Sequence, residues 1–85
     1  SIAHAEEDFT ARRLIELRNK ATGDMRHTEK ALAQAGDRLP PEQREALTGA
    51  TADLRVAVAG DDLAALQHAL DAFNNAANPL ATIVM

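Results

Sequence analysis

The most constraining feature of this sequence is the spacing of its apolar residues between positions 63 and 80. Leu63, Leu66, Leu70, Phe73, Ala77 and Leu80 recur at steps of 3, 4, 3, 4 and 3. Such steps average close to the 3.6-residue turn of an α-helix, so these side chains fall on one stripe. A helix with one apolar stripe must bury it against something else, and the composition says what. Strand-favouring aromatic residues are almost absent: there are two Phe, no Trp and no Tyr. The partners of this stripe are therefore other helices, and the fold class is all-α.

Two more helix-length stretches precede it. The first runs from about Ile2 to Ala35, with Phe9, Leu14, Leu17, Ala21, Met25, Leu32 and Ala35 as apolar positions at helical spacing. Glu6, Glu7 and Asp8 near its start complement the positive end of the helix dipole. Glu16–Lys20 is an attractive i, i+4 pair and Arg26–Lys30 a repulsive one. Gly23 is its weak point, since an interior glycine costs about 1 kcal/mol relative to alanine. Gly36, Pro40 and Pro41 stop it, with Gly36 suited to a left-handed C-terminal cap. Pro41 can begin the next helix, with Glu42 and Glu45 in its first turn.

This second helix runs from about Pro41 to Ala59, on a stripe of Leu47, Ala50, Leu54, Ala57 and Val58, and Gly60 ends it. Gly49 reads as a close-packing site within it. Asp61 is expected to cap the third helix, about residues 62–84, with Asp62 in its first turn. Asn78-Pro79 kinks that helix or stops it, leaving a short final turn capped by Asn78.

Short connections make the three helices antiparallel neighbours in one domain over residues 1–85. The expected core joins Met25 and Leu32, Leu47 and Leu54, and Leu66, Leu70 and Phe73. At 1.5 Å per residue the helices span about 50, 28 and 35 Å, so the first must protrude. The turn near Gly36–Pro41 anchors the bundle, so the uncovered part is the N-terminal half. Its stripe of Phe9, Leu14 and Leu17 is expected either to pair with a second copy in a weak homodimer or to fray.

Little in the chain suggests chemistry. The net charge is −4, and the acidic surplus lies beyond Leu39, where six acids face Arg44 and Arg55. Arg12, Arg13, Arg18, Lys20 and Arg26 alternate with acids and have no aromatic residues to stack on bases, so no nucleic-acid partner is expected. His4, His27 and His68 provide no helical i, i+3 or i, i+4 pair, so no metal is expected. Ser1 is the sole serine, and the isolated glycines form no phosphate-binding loop. There are no cysteines, and no apolar run reaches the ~18 residues of a membrane helix. The expectation is a cytoplasmic module without catalytic or cofactor sites. Because the chain begins with Ser1 rather than Met, it is expected to be a piece of a longer protein.

Several blocks, in order, resemble the C-terminal helical lid of seventy-kilodalton heat-shock chaperones of the DnaK/HscA type. Ala3-His4-Ala5-Glu6-Glu7-Asp8 is similar to the acidic start of the long lid helix. Arg18-Asn19-Lys20 and His27-Thr28-Glu29-Lys30 are similar to its continuation. Ala35-Gly36-Asp37-Arg38-Leu39-Pro40 and Ala59-Gly60-Asp61-Asp62 are similar to the two following loops. The HscA branch, which serves iron–sulfur cluster assembly, is favoured by three stretches. These are Glu7-Asp8-Phe9-Thr10-Ala11-Arg12, Gly60-Asp61-Asp62-Leu63 and Asn78-Pro79-Leu80-Ala81-Thr82-Ile83-Val84-Met85. The Leu39-Pro40 loop is nearer to general DnaK.

The resemblance implies a lid that closes over a β-sandwich holding an extended client peptide and slows its release. It also implies an upstream ATPase domain whose ATP opens the lid, a J-domain co-chaperone, and the iron–sulfur scaffold as client. In DnaK, polar residues of the long helix latch onto the sandwich. Their positions match Thr22, Arg26 and Glu29 here, where DnaK has Asp, His and Arg. None is retained and the last reverses charge. These three either contact the sandwich through altered pairing or are simply exposed polar residues. Without the resemblance, a free-standing helical adaptor that binds a partner helix is the alternative.

Overall fold

The computed structural model describes the backbone over residues 2–84 and the side chains over residues 7–83. Ser1, Met85 and the side chains of residues 2–6 and 84, among them the Ala3-His4-Ala5-Glu6 block, lie outside the described residues. The described chain forms three α-helices and no strand: α1 (Ile2–Ala35), α2 (Pro41–Ala59) and α3 (Leu63–Val84). A single 3₁₀ turn, Gly36–Arg38, joins the first two. The molecule measures 53 × 20 × 17 Å, and its radius of gyration is 14.9 Å. A compact domain of this length would have about 12 Å. The elongation comes from α1, which outruns its partners.

α3 is the central helix. It packs along both α1 and α2, which touch each other far less. Its buried face is correspondingly wide: Ala69 is buried beside Leu66, Leu70, Phe73 and Leu80, with Ala76 and Ala77 packed against them. A helix with neighbours on two sides needs more than a narrow seam. α2 contributes the buried Leu47 and Leu54, and the linker contributes Leu39.

On α1 the core is displaced from its expected place. Leu17, Ala21, Thr28 and Ala35 are buried, whereas Met25 and Leu32 are half-buried at the flank. Ala21, Thr28 and Ala35 lie seven residues apart, so they form one line along the helix. Small side chains on that line let α3 approach closely. Leu17 was grouped with Phe9 and Leu14 as a self-association stripe. At 4% exposure it belongs to the chain's own core and is not available to a second copy. Leu14 is half-buried, and only Phe9 of the three is exposed. The uncovered part of α1 thus ends before Leu14.

The ends of the helices differ from expectation in several details. No glycine takes a left-handed conformation. Gly36 instead opens the 3₁₀ turn, closed by Leu39 N–H donating to Gly36 O at 3.1 Å. Gly60 is extended, and its N–H tightens the end of α2 by donating to Ala57 O at 3.2 Å. Pro41 does begin α2, where its missing N–H costs nothing. The cap of α3 is Asp62 rather than Asp61: its Oδ1 accepts Ala65 N–H at 3.1 Å and its carbonyl accepts Leu66 N–H at 3.0 Å. Glu7 and Asp8 fall beyond the first turn of α1, where the dipole's field has decayed.

α3 continues through Pro79 to Val84, so Asn78 does not start a separate turn. Proline removes the bond to the carbonyl of Asn75, at a cost of about 3 kcal/mol in an isolated helix. Burial of Leu80 and packing of Ile83 beyond the proline hold the last turn in place. Gly49 is exposed, and a Cβ added there would meet nothing within 4 Å, so it is not a close-packing site.

Candidate functional site

The feature with the most built geometry is a polar link between α1 and the α2–α3 turn. The last carbonyls of any α-helix lack intrahelical donors. At the end of α2, the Gly60 N–H serves Ala57 O, and a side chain of α1 serves Val58 O and the Gly60 carbonyl just beyond. Arg18 Nε donates to Val58 O at 3.1 Å, and its Nη2 donates to Gly60 O at 2.7 Å and to Asp61 Oδ1 at 3.2 Å. A guanidinium suits this place because its planar fork reaches several acceptors and its charge meets the negative end of the α2 dipole. The signal was present in the sequence. Leu14, Ala21, Met25, Thr28, Leu32 and Ala35 repeat at steps of four and three once position 18 is included, and Arg18 is the only charged member of that series.

A second link lies about one turn before the end of α2: Arg55 Nη2 donates to Glu29 Oε1 at 2.8 Å. Elsewhere the expected Glu16–Lys20 pair is replaced. Glu16 pairs with Arg13 at 3.1 Å and Lys20 with Asp24 at 3.3 Å. Both are local alternatives on the same helix face, three and four residues apart, and neither requires a long side chain to stretch.

Thr22, Arg26 and Glu29 are spaced by four and three residues, so they share one edge of α1. That edge is the one beside α2, as the Glu29–Arg55 pair shows. Thr22 is half-buried and its hydroxyl donates to Arg18 O at 2.8 Å. Arg26 is exposed. The three are therefore not equivalent: among the described side chains Arg26 makes no hydrogen bond or ion pair, and Glu29 would have to share or exchange Arg55 to engage another surface.

On the opposite side, α1 and α3 enclose an open groove of about 840 Å³. Ala31, Ala77 and Leu80 form apolar parts of its lining, and Lys20, Asp24 and Asn78 polar parts. His27 and His68 are exposed on different helices. Among the described residues no group of three or more His, Asp or Glu could hold a metal ion. Among them too, no helix is long and apolar enough to cross a membrane. On the surface of α1, Phe9 beyond the bundle and Ile15 on its outer side present apolar surface at 68% and 57% exposure.

The sequence is similar to those of known chaperones. The family described as Hsp70 protein matches residues 1–85. A relative named chaperone protein DnaK, from Methanothermobacter thermautotrophicus, is 39% identical over 64 residues, which is 75% of this chain and 11% of that protein. A relative named heat shock 70 kDa protein, mitochondrial, from Pisum sativum is 34% identical over 77 residues, or 91% of this chain and again 11% of the relative. The aligned stretch is thus about a ninth of either relative's length. With the family match running the length of the sequence, the chain belongs to the Hsp70 family of chaperones.

Proposed function

We propose that this chain is the helical lid of the peptide-binding domain of a DnaK/HscA-type chaperone. The observation that carries the reading is the overhang of α1 in a chain of this family. The described stretch before Leu14 extends past α2 and α3 and leaves Phe9 exposed, as a helix designed to lie along another domain would. In this role the three-helix unit moves as one body over a β-sandwich and slows release of the bound client. ATP binding in another domain of the whole protein opens it, and a J-domain co-chaperone acts with the whole protein.

Thr22, Arg26 and Glu29 are the proposed contacts with the sandwich. Arg26 can act directly, and Glu29 by exchanging Arg55 for a cation of the sandwich. The finer reading is a chaperone of the HscA branch, cytoplasmic, with an iron–sulfur scaffold protein as client. Its support is the three stretches of sequence resemblance around Phe9, Asp61 and Asn78.

The test uses the whole chaperone and a fluorescent client peptide. Deleting residues 1–85 should speed peptide release in the ADP state severalfold and leave release in the ATP state nearly unchanged. Equal release in the ADP state with and without the segment would overturn the lid reading. Competition between a scaffold-derived and a generic hydrophobic peptide tests the branch: a preference of less than about threefold, or ~0.7 kcal/mol, would remove the iron–sulfur specialisation.

A further inference from the structure

We draw no further inference here: the strongest candidate, the open groove between α1 and α3 lined by Lys20, Asp24, Lys30, Ala77 and Asn78, carries charges of both signs around a shallow apolar floor, and nothing in the structure shows what covers it.

Discussion

The two ends of α1 belong to the same unbroken helix and yet are held by different forces. From Leu14 to Ala35 the helix lays Leu17, Ala21, Thr28 and Ala35 against the bundle and sends Arg18 and Glu29 across to polar partners on or beyond α2. From Glu7 to Arg13 every described residue is exposed, Phe9 included. An isolated helix shorter than about 12–15 residues is marginal in water, so the outer stretch depends on propagation from the packed one. The difference teaches that apolar periodicity alone does not decide burial. Phe9 and Leu17 are both large and apolar, and what separates them is whether α3 extends far enough to meet them.

The sharpest way to break this comparison is to truncate one apolar side chain on each side of the divide. Leu70 is 3% exposed in the centre of the bundle, so Leu70→Ala should cost about 2–5 kcal/mol through lost burial and a residual cavity. Phe9→Ala should stay within about 0.5 kcal/mol despite removing a larger side chain. Urea denaturation followed by circular dichroism measures both. Similar losses for the two variants would mean that Phe9 is packed against something, and the comparison would fail.

The next effect concerns the polar link. Arg18→Ala removes three hydrogen bonds from a charged donor and leaves the end of α2 to water. A charged hydrogen bond contributes about 1.5–3 kcal/mol when buried, and the Arg18 side chain is one-third exposed, so a total loss of about 1–2 kcal/mol is expected. Arg13, paired with Glu16 on the exposed surface, supplies the contrast: Arg13→Ala should cost at most about 0.5 kcal/mol. Arg18→Lys should recover only part of the loss, because an ammonium cannot span the same acceptors. If Arg18→Ala and Arg13→Ala proved equal in thermal melts, the cross-helix cap would be energetically idle.

The all-α class and the positions of the three helices were legible because glycine, proline and aspartate punctuate stripes of consistent period. What was not legible lies in relations between helices. Sequence spacing puts Met25 and Leu32 on the same broad face as Ala21 and Thr28, and only the approach of α3 selects the line of small residues over the larger ones. Leu17 was placed outside the core because helix lengths bound how much of α1 is covered without fixing where the cover ends. Gly49 illustrates another limit: a glycine without neighbouring breakers reads equally as close contact or as a tolerated weakness. Arg18 could be seen as an intruder in an apolar series, but its acceptors lie forty or more residues away and depend on how α2 ends.

A smaller effect tests the start of α3. Asp62→Ala removes the acceptor of the Ala65 N–H and should cost about 1 kcal/mol. Asp61→Ala loses only a 98%-exposed partner of Arg18, while the two carbonyl acceptors remain. A loss at Asp61 greater than that at Asp62 would assign the cap to the wrong aspartate.

The smallest effects should be gains, and they bear on the outer faces of the packed helices. Gly23 on α1 and Gly49 on α2 are exposed helical positions, and a Cβ at either would meet nothing within 4 Å. Neither has a positive φ, so alanine fits the existing backbone without strain. Glycine costs more backbone entropy on folding than alanine does, so each Gly→Ala change should stabilise the chain by about 0.5–1 kcal/mol. For a domain of this size that corresponds to a rise of about 2–8 °C in melting temperature. The sites lie on different helices with no common neighbour, so the double variant should be additive within about 0.5 kcal/mol. Destabilisation at Gly49 would mean that this face of α2 meets a neighbour in solution, and destabilisation at Gly23 would mean the same for the exposed face of α1.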